Sequence, residues 1–397
     1  MKKKILFIIN NLNCGGAEKA LISLLETIDY SIYEVDLFLF KKEGIFLSKV
    51  PKEVNILEEP ENYKYFDMSV KKAIYELLKN RKFKIALCRL LSVYIFKSRK
   101  QKAVIEQLVW RYLSIAFKKL DTQYDVAIGY LEKNPVYFCV DKVNAKQKIG
   151  WIHNDYEKLG MNKNIDNKYF AKLDYVFTVS DECLNVLNRI FPKYSNKFKL
   201  MHNIISPNTV KKLALEKITD VEFSKEYINI VSVGRLNYQK GFEIAIEACA
   251  ILKERGYKVM WNILGDGEER SNLENLIKKL RLEDEINLLG IRENPYPYIA
   301  NSDIYVQPSR FEGKSIAIDE AKILNKPIVV TNFSTAKDQI TNRSNGLICE
   351  MNRDSLAKEI ERIINDNELK NKLINSLSKE NLGNEDEIRC LYNVIGV

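Results

Sequence analysis

One pattern constrains this chain more than any other: short apolar runs alternate with helix-periodic stretches, and the alternation occurs twice. In the second half, residues 229–233, 258–264, 286–289, 304–306, 327–331 and 346–349 read as strands. Residues 242–255, 268–280, 316–324 and 356–364 show helical spacing between them. Strands alternating with helices of this length predict parallel sheets covered by helices. The first half repeats the pattern, with strands at 4–9, 33–40, 126–129, 147–152 and 175–179 and a helix over 17–28. Ser180 is placed to cap a helix starting at Asp181. Residues 200–205 close this half. The polar stretch 206–226, with Pro207, reads as a linker. The expectation is two Rossmann-like α/β domains, 1–205 and 227–375, joined by 206–226. A C-terminal segment, 376–397, would pack back on the first domain.

At 397 residues the chain is long for one domain and comfortable for two. Hydrophobic residues make up 46%, enough for ordinary cores. No apolar run reaches the 18 or more residues of a membrane span. The N-terminal Lys2-Lys3-Lys4 followed by five apolar residues imitates a signal peptide but runs into Asn10-Asn11, so it reads as a first buried strand. Seven cysteines are scattered singly, with no Cys-x-x-Cys, and the only histidines are His153 and His202. Reduced thiols in a cytoplasmic protein are expected, and no zinc site.

The densest chemistry lies at 308–321, Pro-Ser-Arg-Phe-Glu-Gly-Lys-Ser-Ile-Ala-Ile-Asp-Glu-Ala. A strand at 304–306 leads to a loop with Glu312, then Gly313-Lys314-Ser315, then a helix carrying Glu320. Both carboxylates are thereby placed at the carboxyl end of a strand, where open α/β sheets bind ligands. Carboxylates accept hydrogen bonds from paired hydroxyls, and a helix start between them favours an anion. A sugar nucleotide has those parts. Taken alone, the spacing equally fits a surface loop and a solvated helix face.

Other strand ends add to it. Gly234-Arg235 follows the strand at 229–233, and Lys240-Gly241 comes five residues later; Arg235 and Lys240 together suit a diphosphate. The run 10–18, with Gly15-Gly16, is a glycine turn after the first strand that lets backbone N–H groups approach a phosphate. His153 follows the strand at 147–152, and Glu132 the one at 126–129. His202 reads as structural. No Asp-x-Asp exists to clamp a divalent metal on a nucleotide.

With these residues in this order the chain resembles the retaining GT-B glycosyltransferases often grouped as family 4. The resemblance rests on Gly15-Gly16-Ala17-Glu18, Gly234-Arg235-Leu236 with Lys240-Gly241, Gly265-Asp266-Gly267, and Glu312-Gly313 to Glu320-Ala321 followed by Lys326-Pro327. It implies two facing Rossmann-like domains with a cleft between them, the donor held mainly by the second. It implies that Arg235 and Lys240 hold the diphosphate, that Glu312 touches the transferred sugar and that Glu320 holds the ribose. Gly16 and His153 would approach the reacting centre from the first domain. Gly234, Gly313, Lys314, Ser315 and Ile316 fall with the donor-binding residues. Gly-Lys-Ser at 313–315 departs from the commoner Gly-x-Pro turn and would leave the Ser315 N–H available for phosphate. Asp319 beside Glu320 is also less usual and would tune that end of the site. The implied reaction is retaining transfer from a UDP-linked sugar, with no metal and no further cofactor.

The net charge of +9 is local. Residues 64–120 hold fifteen Lys or Arg against three acids, +12, leaving −3 for everything else. The segment reads as amphipathic helices, with Ile74, Leu77, Leu78, Ile85, Leu87, Leu90, Leu91, Val104, Ile105 and Leu108 on the apolar side and cations on the polar side. Such a surface suits anionic lipid. It would set a cytoplasmic enzyme on the inner face of the plasma membrane, over a polyprenyl-diphosphate-linked saccharide of capsule or exopolysaccharide synthesis. A solvated helical insertion is the plainer alternative. Charge alone would permit nucleic acid, but Tyr94, Phe96, Trp110, Tyr112 and Phe117 are spaced like helix cores rather than stacking platforms. A soluble transferase with a small or protein acceptor, and a non-catalytic nucleotide-sugar-binding protein, stay open.

Overall fold

The computed structural model describes residues 2–13, 15–98, 101–380 and 382–396. Cys14 of the glycine turn and Arg99 and Lys100 of the basic segment lie outside them, as do Asn381 and Val397 of the expected C-terminal segment. Two compact units divide the chain. The first comprises Met1–Asn13, Ala17–His202 and Glu387–Val397, the second Cys14–Gly16 and Asn203–Asp386.

The first unit holds seven strands: β1 (Lys3–Ile9), β2 (Tyr33–Leu39), β3 (Asn55–Ile56), β4 (Gln123–Gly129), β5 (Asn144–Ile152), β6 (Tyr175–Thr178) and β7 (Phe198–Leu200). Their order is β3-β2-β1-β4-β5-β6-β7, and the pairs run parallel. The second unit holds β8 (Ile228–Val233), β9 (Val259–Leu264), β10 (Ile286–Gly290), β11 (Ile304–Gln307), β12 (Ile328–Thr331) and β13 (Leu347–Cys349). Their order is β10-β9-β8-β11-β12-β13, again parallel. Each sheet therefore reads outward from its first strand in both directions, the doubly wound Rossmann pattern. The architecture is α/β with two Rossmann-like units, the GT-B class.

The central strands form because both faces are covered. Leu6, Phe7, Ile8 and Ile9 of β1 are wholly enclosed, as are Ile230, Val231, Tyr305, Val306, Val329 and Val330 of the second sheet. Apolar side chains on both faces give continuous rather than alternating runs. Ser180 caps the helix Asp181–Ile190 as expected, its side chain accepting from the Cys183 N–H at 3.2 Å.

Two expectations change. The stretch 206–226 is not a free linker: it carries a helix, Pro207–Leu213, and packs Ile218, Val221 and Phe223 against the core of the second unit. Those three apolar residues are separated by charged neighbours, which hid them. The C-terminal part also divides inside 376–397. The helix Asn367–Lys379 belongs to the second unit, and the helix Ile388–Ile395 to the first. In the first unit Lys3 Nζ donates to the Ile395 carbonyl at 3.3 Å and Tyr392 Oη accepts from the Asp29 N–H at 2.8 Å.

Helices at Lys64–Asp67, Val70–Lys79, Phe83–Phe96 and Lys102–Leu113 form the basic segment. Their faces differ from the expectation. Leu78, Leu87, Leu90 and Leu91 are exposed, whereas Arg89 is buried and donates to the carbonyls of Tyr65 (2.9 Å) and Met68 (3.1 Å). Trp110 and Phe117 are core, but Tyr94 and Phe96 are exposed. Cys88, Cys139, Cys183, Cys249, Cys349 and Cys390 are free thiols. Among the described residues no helix is long and apolar enough to cross a membrane.

Candidate active site

The crossovers on either side of β8 and β11 leave in opposite directions, so the sheet splays where these strands end. Gly234-Arg235 follows β8, and the loop 308–315 follows β11. This is the topological switch point of the second unit, the position at which open α/β sheets receive ligands.

Two loops are stitched together there. A turn at Tyr238–Lys240 is capped by Asn237, whose side chain accepts from the Lys240 N–H at 3.2 Å. It ends at Gly241 with φ +61, and a Cβ there would stand 2.3 Å from the Pro308 carbonyl oxygen, so only glycine allows the approach. The Arg310 N–H donates to the Gln239 carbonyl at 2.7 Å, and Gln239 Nε2 to the Phe311 carbonyl at 2.9 Å. The Arg310 guanidinium lies over the Tyr238 ring at 4.1 Å and pairs with Glu243. Gly265 lies against the end of β8 with φ +138; a Cβ there would fall 1.9 Å from the Gly234 carbonyl oxygen. The Gly-Arg-Leu, Lys-Gly and Gly-Asp-Gly pieces therefore meet around β8 and the loop after β11.

The product is a buried ion pair. Lys240 Nζ stands 2.5 Å from Glu312 Oε1. Glu312 is 5% exposed, which excludes a surface-loop role. Its Oε1 also accepts from Ser309 Oγ at 2.6 Å and Gln307 Nε2 at 3.4 Å, and its Oε2 from Gln239 Nε2 at 3.4 Å. Behind them runs a directed chain: Tyr305 Oη donates to Gln307 Oε1 at 2.6 Å, and Gln307 Nε2 donates to Ser309 Oγ at 2.8 Å. Burial and the nearby Glu320 and Glu312 charges hold the Tyr305 hydroxyl well above its usual range, so it stays a donor. A buried carboxylate supplied with this many donors is held in one orientation. Gln307, Ser309 and Gln239 went unnoticed in the sequence. The one local signal was Gln307, a polar residue closing an otherwise apolar strand.

Glu320 sits on the helix Ile316–Ile323, 2% exposed, and accepts from Tyr296 Oη at 3.1 Å. It is not on a solvated face. Arg235 is exposed at the end of β8. The Ser315 N–H is not available: it donates to Gln339 Oε1 at 2.8 Å, while Gln339 Nε2 donates to the Ser315 carbonyl at 2.8 Å and to Asp319 Oδ1 at 2.9 Å. The polar group a proline would lack has found an internal partner. Lys314 Nζ stands 3.9 Å from Asp319 Oδ2, Gly313 lies in the loop beside it, and Ile316 is buried at the helix start.

Gly16, grouped with the second unit, opens the helix Gly16–Thr27 after β1. His153 follows β5, 7% exposed, its ring centroid 4.8 Å from that of Tyr130 and stacked on Trp151 at 5.9 Å. Burial pushes its pKa down to about 3, against the smaller effect of a hydrogen bond to the Tyr130 backbone. The imidazole is therefore neutral, and among the described residues its buried Nε2 has no hydrogen-bond partner. Glu132, beyond β4, accepts from the His153 N–H at 3.2 Å and from Asn154 Nδ2 at 3.0 Å. His202 is structural, with Nδ1 3.1 Å from the Val179 carbonyl and its N–H donating to Glu387 Oε2 at 3.1 Å. Among the described residues no group of three or more His, Cys, Asp or Glu side chains is arranged to hold a metal ion.

The comparisons bear on this geometry. Residues 215–379 match the family Glycosyl transferases group 1. An uncharacterized glycosyltransferase of Haemophilus influenzae is 27% identical over 377 residues, 93% of this chain and 92% of the relative. The N-acetylgalactosamine-N,N'-diacetylbacillosaminyl-diphospho-undecaprenol 4-alpha-N-acetylgalactosaminyltransferase of Campylobacter jejuni is 25% identical over 374 residues, 93% and 92% of the two chains. The crystal structure of Anabaena HepE in complex with UDP superposes with a TM-score of 0.66 at 17% identity, covering 99% of each chain, a likeness of fold. The matched family region falls on the unit that carries the Lys240–Glu312 pair, so the chain is similar to the group 1 glycosyltransferases over that unit.

Proposed function

We propose that this enzyme moves a sugar from a UDP-linked donor to a polyprenyl-diphosphate-linked saccharide in the assembly of a capsule or exopolysaccharide, with retention at the anomeric carbon. It works as a peripheral protein on the inner face of the plasma membrane, with its basic helices toward anionic lipid. The observation that carries the reading is the Lys240–Glu312 pair at the switch point, pinned at 2.5 Å within a network of buried donors. The acceptor class is supported by the full-length likeness to the Campylobacter enzyme, whose name specifies a diphospho-undecaprenol-linked substrate.

The mechanism follows from the side chains. Lys240 gives one ammonium proton to Glu312 and has two more to offer phosphate oxygens. Arg235, exposed at the end of β8, closes on the same diphosphate. Glu312, fixed by Ser309 and Gln307, accepts from hydroxyls of the transferred sugar, and Glu320 accepts from the ribose. The bond from the anomeric carbon to the β-phosphate oxygen breaks while the acceptor oxygen bonds to the same face. The acceptor's proton passes to the departing phosphate. Charge grows on that phosphate as the bond breaks, and preorganised cations lower the barrier there. His153, neutral and with Nε2 open, donates to or accepts from a substrate hydroxyl; it is not the proton carrier at neutral pH.

A screen of nucleotide sugars for hydrolysis and for protection from heat unfolding tests the donor. UDP-sugars should protect, and protection by another nucleotide alone would overturn that assignment. Transfer in the presence of chelator should continue; activity lost with chelator and restored by magnesium or manganese would overturn the metal-free reading. Synthetic acceptors with and without the lipid diphosphate test the acceptor, and equal transfer to both would favour a soluble one.

A further inference from the structure

The helix Phe83–Phe96 is turned inside out. Its large apolar residues Phe83, Leu87, Leu90 and Tyr94 are 62%, 58%, 49% and 79% exposed. At 100° per residue they fall in one stripe about 60° wide. The inward side buries the small or polar Ala86, Cys88, Arg89 and Ser92, with Ile85 and Ile95 half-buried beside them. The rotation is fixed from within. Arg89 donates inward to the carbonyls of Tyr65 and Met68, and Ala86 packs with Tyr65, Ala73 and Leu77. The preceding helix Val70–Lys79 likewise buries Ala73 and Leu77 and exposes Tyr75 (68%) and Leu78 (48%).

Cations surround this surface. Lys71, Lys72, Lys79, Arg81, Lys84 and Lys97 are exposed, and the single acid between residues 70 and 98 is Glu76. We propose that the stripe Phe83-Leu87-Leu90-Tyr94 inserts into the headgroup–acyl boundary of an anionic bilayer, with the flanking cations on lipid phosphates. An apolar stripe edged by cations matches both layers of such a membrane surface. A second copy of the chain fits poorly, because self-pairing across a two-fold axis brings the same cations together. The inference deepens the membrane reading above: attachment is by insertion and not by charge alone.

Tryptophan at position 90 tests it in the full chain. Trp110, Trp151 and Trp261 are buried, so a tryptophan placed by Leu90→Trp reports separately. With vesicles of phosphatidylglycerol and phosphatidylcholine brominated along the acyl chains, Leu90→Trp fluorescence should be quenched at least about twofold more than wild type. Leu87→Ser, Leu90→Ser and Tyr94→Ser together should weaken vesicle partition about tenfold or more, with donor hydrolysis in solution and the circular dichroism spectrum unchanged. Vesicle binding without quenching, or an unaltered partition of the triple variant, would overturn insertion while leaving charge-driven attachment standing. Absence of binding to anionic vesicles at low salt would instead remove the membrane reading itself. A concentration-dependent dimer abolished by the triple variant, without quenching, would assign the stripe to a second copy and overturn the proposal.

Discussion

The two sheets present a carboxylate at the same topological address and surround it differently. Glu132 follows β4 and Glu312 follows β11, in each case the strand that neighbours the first strand on its far side. Glu312 takes its hydrogen bonds from side chains, Lys240, Ser309, Gln307 and Gln239. Glu132 takes a backbone N–H and an amide, and the polar group left open beside it is the Nε2 of His153. Topology fixes where an acid can stand. The neighbours decide whether it is a tensioned part of a network or a brace for another residue.

The contrast breaks most sharply at Lys240. Lys240→Ala should cut turnover about 10²–10³-fold through loss of a preorganised cation. It should also destabilise the fold by about 3–5 kcal/mol, because Glu312 stays buried without its partner. Arg235→Ala should cut turnover to a similar degree with a melting temperature near wild type, since Arg235 is exposed. Stopped assays with a UDP-sugar and thermal melts separate the two. Near-normal turnover in both variants would remove the diphosphate assignment.

The glutamates come next. Glu312→Gln should depress turnover more than UDP affinity, whereas Glu320→Ala should weaken UDP binding as well. Calorimetry with UDP reads the difference, and the reverse pattern would exchange their roles.

The smallest effect lies in the first unit. The unfolded chain protonates His153 near pH 6.5, while the folded chain resists until about 3. Protons therefore favour unfolding: the stability contribution is complete above pH 6.5 and is lost as pH falls toward 3. Between pH 7 and pH 5 this amounts to roughly 2 kcal/mol. His153→Gln should flatten that part of the stability profile. An unchanged acid slope would mean that the imidazole ionises freely in the folded protein.

Where burial enclosed both faces of a strand, the sequence was legible. β1 and β11 carry unbroken apolar runs, β8 is apolar apart from Asn229 and Ser232, and the strand ends after them carried Gly16, Arg235 and Glu312 into view. The helix Phe83–Phe96 was legible as a helix but not as to which side faces inward. Periodicity gives a stripe, and Leu87, Leu90 and Leu91 look like core until Arg89 is seen holding two carbonyls on the other side. Ser309, Gln239 and Gln339 were invisible for a different reason. Gln239 and Gln339 find their partners in another loop, Ser309 finds Glu312 three residues on within its own, and no local pattern distinguishes a polar side chain that will be buried from one that will be solvated.

Gln339 carries a consequence of its own. By accepting the Ser315 N–H, it replaces the partner that this group at the start of the helix Ile316–Ile323 would otherwise seek from solvent, and its own amide adds a bond to the Ser315 carbonyl, which also accepts from the Ile318 N–H at 3.2 Å. The Ser315 amide should then exchange with deuterium only when the segment around 336–339 opens, so two stretches twenty-four residues apart report one opening event. A ligand that tightens either one slows exchange at both.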